Sequence, residues 1–265
     1  MIKFTVVTIT YNAAEALPRT LDSVAAQTYP HIEHLIVDGA STDGTVAMAR
    51  EYAERTAVSG SGHKAVVTSE PDGGLYDAMN KGLQRATGDY ILFLNAGDFF
   101  PNAGVIETVI RGGGLEQTPS GEWPAVLYGD TDIVDGEGRY LRPRHLRPPR
   151  RLTWRSFMHG MLVCHQAFYA RTDIARGIPY NLAYRYSADV DWCIRVMKEA
   201  RRRRLTLVNV GAVVADYTEE GQTTEHHRES LRERYRVMVS HYGHIPTAVM
   251  HCWFAVRAAL RKLSR

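Results

Sequence analysis

The run Tyr90-Ile91-Leu92-Phe93-Leu94 is apolar and ends at once in Asn95-Ala96-Gly97-Asp98. An apolar run this short, set between turn residues, suits a strand buried on both faces of a parallel sheet. Ligands of such sheets bind at the carboxyl ends of the strands. A carboxylate there, beside the small Ala96 and Gly97, could hold a divalent cation against a phosphate. A polar turn that only ends the strand is the plainer alternative. A second acid, Asp38, closes the run His31 to Val37 and opens Asp38-Gly39-Ala40-Ser41-Thr42-Asp43-Gly44. Thr8, Tyr11 and Asn12 end or follow the first apolar run. A carboxylate can accept a hydrogen bond from a base N–H, and an aromatic ring can stack on that base. Asp38 and Tyr11 fit those roles for a nucleotide, with Gly39 and Ser41 keeping the backbone close to it; Tyr11 also fits a core aromatic. Gly73-Gly74 at a helix start offers N–H groups and a positive dipole end. Asn80 and Lys81 follow on that helix, where Lys81 could neutralise phosphate or simply be solvated.

These side chains need a frame that brings strand ends to one edge. Lys3 to Thr10, His31 to Val37, Ala65 to Ser69 and Tyr90 to Leu94 read as strands. Ala13 to Gln27, Thr45 to Arg55 and Leu75 to Arg85 read as helices, with Leu17, Leu21 and Val24 on one face of the first. The alternation predicts an α/β fold of right-handed βαβ units, a mostly parallel Rossmann-like sheet with helices on both faces. The 265 residues are enough for one large domain or two layers sharing a core. The pattern changes after residue 100. Arg111-Gly112-Gly113-Gly114 and Pro119 to Pro124 look like loop. Leu127 to Val134, Arg139 to Leu141, Leu162 to Tyr169 and Leu205 to Val214 read as strands, and Val190 to Glu199 as a helix.

A formal net charge of +3 is too small to point to nucleic acid, and none is expected as a partner. The chain's Cys164, Cys193 and Cys252 are far apart, which predicts no disulfide framework and a reducing, cytoplasmic location. The N-terminal apolar stretch is too short for a signal sequence, and no run reaches the roughly 18 apolar residues of a membrane span. From Gly138 through Thr172 there is no acid but many arginines, either a solvated basic face or a lining for an anionic ligand. Glu225 to His241 and Ile245 to Arg265 read as helices. No acid follows Glu233, and Val249, Trp253, Phe254, Val256, Leu260 and Leu263 alternate with Arg257, Arg261, Lys262 and Arg265. Such a basic amphipathic end fits peripheral contact with the cytoplasmic face of a membrane, or packing on protein.

The first strand is followed by no GxGxxG, and no GxxxxGK[ST] occurs, which counts against a dinucleotide oxidoreductase and a P-loop. Instead the order Thr-Tyr-Asn, Asp-Gly-Ala-Ser-Thr-Asp-Gly, Pro-Asp-Gly-Gly-Leu-Tyr-Asp-Ala-Met-Asn-Lys-Gly and Gly-Asp-Tyr-Ile-Leu-Phe-Leu-Asn-Ala-Gly-Asp resembles family 2 glycosyltransferases of the GT-A fold. The resemblance covers residues 3 to 100, and continues more weakly through His165-Gln166 and Ser187-Ala188-Asp189-Val190-Asp191-Trp192 to about residue 215. It implies an inverting transfer of sugar from a nucleotide diphosphate sugar to a hydroxyl acceptor, with Mg²⁺ or Mn²⁺ neutralising the leaving diphosphate. Asp98 occupies the metal position. Where many members carry Asp-x-Asp-Asp, this chain has Asn95-Ala96-Gly97-Asp98, so Asn95 offers a carbonyl oxygen in place of an acid. His226 or His227 is a further candidate ligand. Asp189 matches the second member of the family's acidic pair and is expected as general base; Asp191 is the alternative, and either could instead cap the helix. His165 and Gln166 match an acceptor-side motif.

Residues 1–125 are thus expected to form the nucleotide-sugar half, 126–215 the acceptor half, and 216–265 a basic helical extension. The expected acceptor is a lipid-linked glycan or surface polysaccharide. Two other readings stay open: a nucleotidyltransferase, which usually needs a Gly-rich basic loop after the first strand, and a non-catalytic module retaining the nucleotide-sugar fold.

Overall fold

A computed structural model describes residues 1–219 and 227–263. Four parallel strands form one half of an eight-stranded sheet, in the order β3 (Lys64–Ser69), β2 (Ile32–Asp38), β1 (Phe4–Thr10), β4 (Tyr90–Phe93). All residues of β1, β2 and β4 are buried, the polar Glu33 and His34 of β2 among them, while the edge strand β3 is partly open. Register sets the site edge: Thr10 lies opposite Asp38, and Asp38 opposite Ser69.

The sheet continues antiparallel from β4 to β7 (Phe168–Arg171) and on to β5 (Val126–Val134). The start of β5 pairs with β7 and its end with β6 (Tyr140–Pro143). Strand β8 (Leu207–Thr218) runs parallel to β5. An isolated bridge between Phe99 and Asp216 folds the end of β8 onto the turn that follows β4.

Helices cover both faces. Leu17 and Leu21 of α1 (Leu17–Ala25) and Ala49 and Tyr52 of α2 (Thr45–Val58) pack on Ile36. On the opposite face α3 (Leu75–Arg85) lies against β1 so closely that a Cβ on Gly82 would sit 2.5 Å from Val7 Cγ1. Next come α4 (Val105–Gly112), the short α5 (Thr172–Ala175) and α6 (Ala188–Arg202). A stack of rings ties α3 to α6: Tyr76 lies on Tyr180 with centroids 5.5 Å apart, and Tyr180 on the fully buried Trp192 at 4.9 Å.

Two helices close the described chain. In α7 (His227–Tyr242), Ser230, Val237 and Met238 point inward, and Tyr242 stacks on Trp154. In α8 (His244–Leu263), Thr247 is buried while Ile245, Val249, Trp253 and Val256 are exposed along the opposite face. Among the described residues no helix is long and apolar enough to cross a membrane.

The structure corrects two expected elements and adds one. The first helix begins at Leu17 rather than Ala13, because Thr45 Oγ1 and Asp43 Oδ2 accept the Ala13 and Ala14 N–H groups and hold those residues in a turn. The strand expected over Leu162 to Tyr169 is a 3-10 turn, His165–Ala167, followed by β7. The Met161 and Leu162 carbonyls bond the Arg144 guanidinium instead of a neighbouring strand. Helix α4 was not anticipated.

Candidate active site

The turn after β4 is built around a buried acid. Asp98 is 5% exposed. Its Oδ2 accepts a hydrogen bond from Gln166 Nε2 at 2.7 Å, and its Oδ1 accepts the Thr218 N–H at 3.2 Å. Thr20 Oγ1 donates to the Asp98 carbonyl and accepts from the Gly97 N–H, while Thr218 Oγ1 donates to the Gly97 carbonyl. Gly97 has φ +100°, which a glycine adopts without strain. Burial pushes the Asp98 carboxyl up to about 6, and its hydrogen bonds with Gln166 and Thr218 only partly offset this.

Asp189 stands in the first turn of α6. Its Oδ1 accepts from Tyr76 Oη at 3.2 Å, and its Oδ2 lies 3.5 Å from His165 Nδ1. Burial works to raise this carboxyl too, but His165, the positive charge of Arg234 on α7 and the Val190 N–H outweigh it and hold Asp189 below the usual range. The other nitrogen of His165, Nε2, lies 3.2 Å from Asn95 Nδ2. The pair His165-Gln166 thus links Asn95 and Asp98 at the end of β4 to Asp189 on α6.

Asp191 has a different setting. Its Oδ2 accepts from Arg195 Nε and its Oδ1 meets His241 Nε2, both at 2.7 Å. His241 Nδ1 in turn lies 2.8 Å from Lys198 Nζ. Burial raises the Asp191 carboxyl, but His241 and Arg195 more than reverse that. This pair fastens α7 to α6.

The residues expected to meet a nucleotide lie along the ends of β1, β2 and β3. Tyr11 is 67% exposed, and a Cβ on Gly39 would meet its ring at 3.4 Å and Asp72 Oδ2 at 2.6 Å. Tyr11, Gly39 and Asp72 therefore share one small space. Asn12, with φ +47°, accepts the Thr42 N–H on Oδ1, and its own N–H bonds Ser41 Oγ, which clips two loops together.

Several other expected ligands have partners within the protein. Asp38 accepts from Thr10 Oγ1, the Ser41 hydroxyl and N–H, and Ser69 Oγ, which uses both carboxylate oxygens twice. Burial would raise its carboxyl, but these bonds lower it. Thr8 is fully buried, donating to the Leu94 carbonyl and lying 2.9 Å from His34 Nε2. The Gly74 N–H bonds Asp72 Oδ1. Asn80 holds the Tyr180 backbone through both ends of its amide. Lys81 Nζ bonds the Pro71 carbonyl and lies 3.4 Å from Glu70.

Fitness for a cation turns on oxygen donors. Asn95 Oδ1 is buried without a hydrogen-bond partner, an oxygen waiting for a positive group three residues before Asp98. Among the described residues no group of three or more His, Cys, Asp or Glu side chains could hold a metal. Asp98 and Asn95 therefore suit a hard cation whose other ligands are substrate phosphates and water. His226 and the side chain of His227 lie outside the described residues.

Sequence reasoning missed Asp72, Tyr76 and Thr218. The first two lie inside the segment Pro71 to Gly82 that carried the resemblance, so their position was readable although their partners were not.

A parallel half that ends in Tyr11, Asp38 and Asp98, joined to a mixed half that delivers His165, Gln166 and Thr218, is the architecture of a GT-A-type glycosyltransferase. Solved structures share it. S. aureus TarS 1-349 in complex with UDP-GlcNAc matches with a TM-score of 0.68 and 18% identity over 90% of this chain and 66% of that one. The mannosyltransferase PcManGT from Pyrobaculum calidifontis, in complex with GDP-Man and Mn2+, matches with a TM-score of 0.65 and 19% identity over 94% and 68%. A further S. aureus TarS chain is covered only to 38% of its length. Identities this low establish the fold alone.

The chain belongs to glycosyl transferase family 2, whose model matches residues 5–175. A PGL/p-HBAD biosynthesis glycosyltransferase of Mycobacterium bovis is 34% identical over 219 residues, 82% of this chain and 77% of the relative.

Proposed function

We propose that the protein is an inverting glycosyltransferase that moves a sugar from a nucleoside diphosphate sugar to a hydroxyl of a lipid-linked or surface glycan. The observation that carries this reading is the His165-Gln166 bridge, with His165 beside both Asn95 and Asp189 and Gln166 on Asp98. It sets a base candidate beside the residues suited to the donor's diphosphate.

In this reading residues 1–125 bind the donor. The exposed ring of Tyr11 stacks on the base beside Gly39 and Asp72. Asp189 takes the proton from the acceptor hydroxyl as that oxygen attacks the anomeric carbon from the side opposite the leaving group. Its lowered pKa keeps it ionised at neutral pH, and a positioned carboxylate contributes about 10²- to 10⁴-fold. Tyr76 and His165 aim the carboxylate. A Mg²⁺ or Mn²⁺ ion, held by Asp98 and Asn95, would supply charge neutralisation for the departing diphosphate. Residues 126–215 form the acceptor half. Residues 216–265 are a basic extension whose exposed stripe on α8 fits the surface of an anionic membrane, at its cytoplasmic face.

A thermal-shift panel of nucleotide sugars with and without Mn²⁺ tests the reading, because a ligand that binds the native state raises the melting point by mass action. The expected result is a metal-dependent shift with one donor, followed by nucleoside diphosphate release when acceptor is supplied. A panel without any shift in the presence of metal defeats the proposal. Pyrophosphate release from a sugar phosphate and a nucleoside triphosphate would favour a nucleotidyltransferase instead.

A further inference from the structure

Helix α7 reaches the segment that leads into the Asp189 turn. The Glu233 carboxylate accepts three consecutive backbone N–H groups, from Arg185 at 2.7 Å and from Tyr186 and Ser187 at 2.6 Å each. Bonds of N–H groups to an ionised carboxylate are charge-assisted and stronger than neutral ones. Ser187 is the N-cap residue of α6, yet it makes no side-chain cap bond, and its buried hydroxyl has no hydrogen-bond partner. The start of α6 is therefore held from α7 rather than by its own cap.

Asp189 follows Ser187 by two residues. Its contacts with Tyr76 and His165, at 3.2 and 3.5 Å, are near the outer limit for hydrogen bonds. A small displacement of this turn would lose both. Ser187 is fully buried, so without Glu233 its N–H would lack a partner and the segment would have to rearrange to satisfy it.

We propose that Glu233 is a positioning residue for the transfer reaction, fixing Arg185 to Ser187 so that Asp189 points at the acceptor hydroxyl. The inference rests on the reading of Asp189 as base. It makes the C-terminal extension part of the catalytic apparatus.

The test uses the full chain with Glu233→Gln, Asp189→Asn and the double variant. One readout is amide hydrogen exchange over residues 185–189. The other is nucleoside diphosphate release in Mn²⁺, with water as acceptor, from UDP-GlcNAc, UDP-glucose and GDP-mannose tried singly. Glu233→Gln should speed exchange in that segment at least about tenfold and leave β1, β2 and β4 protected. It should lower kcat about 10- to 100-fold with the donor KM unchanged, since a misplacement near 1 Å costs on that order. In the Asp189→Asn background it should cost nothing further. Unchanged exchange overturns the proposal. So does a kcat that stays at the wild-type value, or a loss that multiplies that of Asp189→Asn. If Asp189→Asn alone keeps the wild-type rate, the base assignment fails, and the exchange data still report separately whether Glu233 holds the segment.

Discussion

Asp98→Asn should flatten the pH dependence of stability. An aspartate carboxyl titrates near 3.8, and burial pushes that of Asp98 up to about 6. A pKa higher in the folded than in the unfolded state means that the folded state holds the proton more tightly. The associated stabilisation is complete below about pH 4 and is lost as the pH rises through about 6. A displacement of roughly two units corresponds to about 3 kcal/mol at about 1.4 kcal/mol per unit. For a chain of this size that is about 6–12 °C in melting point. The relevant quantity is the difference between two curves, wild type and Asp98→Asn, measured by calorimetry or dye-based melting from pH 4 to pH 8 without divalent cations. Asp216, whose carboxyl burial and the neighbouring Asp132 also push up to about 6, contributes to both curves and cancels. Relative to the variant, the wild type should lose most of those degrees between pH 4.5 and pH 7. Mn²⁺ with the matching nucleotide sugar should restore them at pH 7.5 in the wild type alone. A difference that stays flat across the range would show that the Asp98 carboxyl is not desolvated as the geometry requires, and the argument for a cation there would lose its electrostatic basis.

Asp191→Asn should lower stability by about 3 kcal/mol, the low end for a buried pair broken on one side, because Arg195 is partly solvated. Urea unfolding reads that loss, and turnover of the folded fraction should stay within about threefold; lost turnover at unchanged stability would make Asp191 the base. Tyr11→Ala should weaken nucleoside diphosphate binding about tenfold in calorimetric titration, as expected for one aromatic contact of about 1.4 kcal/mol. An unchanged affinity would remove Tyr11 from the nucleotide site. Trp253→Glu should abolish sedimentation with phosphatidylglycerol vesicles at low salt while the melting point holds. Equal sedimentation of variant and wild type would exclude the α8 stripe from lipid contact.

The fold of the first hundred residues was legible because its signals are local. A parallel strand buried on both faces reads as a short apolar run between turn residues, and Leu75–Arg85 emerged with the bounds expected. The helix Val105–Gly112 carries Val105, Ile106, Val109 and Ile110 at helical spacing but is only eight residues long, and its last two, Arg111 and Gly112, read as loop with the glycines that follow. The strand expected from Leu162 is a different failure. The segment is apolar enough, but Arg144, remote from it in the chain's local pattern, takes its carbonyls. Partnership across the sheet was equally invisible. Asp38 was expected as a base-binding acid from its place at a strand end, and nothing in the spacing showed that register would set Ser69 beside it and that Thr10 and Ser41 would also bond it. Lys81 and Asn80 were likewise drawn to Pro71 and Tyr180 by contacts that no spacing rule contains.

The two acids that remain show what decides a carboxylate's role. Asp98 and Asp189 are both desolvated, and desolvation alone would raise both. They part because adjacent residues of one short turn serve them differently. Gln166 gives Asp98 a neutral amide donor, too weak to offset burial, so the carboxyl stays poised for a strong positive partner. His165 gives Asp189 an imidazole, and Arg234 adds a full charge, so the carboxylate is ionised before any substrate arrives. Environments that drive two carboxyls in opposite directions are the usual mark of divided chemical labour. Here a His-Gln dipeptide contributes to both sides of that division, together with the Thr218 N–H at Asp98 and with Arg234 and the Val190 N–H at Asp189. It also ranks two substitutions. His165→Gln should depress turnover through Asp189 and raise the Asp98 carboxyl only slightly, because the His165 charge is the smallest of the effects that lower it. Gln166→Leu should raise the Asp98 carboxyl further and weaken the proposed cation's hold, with Asp189 still ionised.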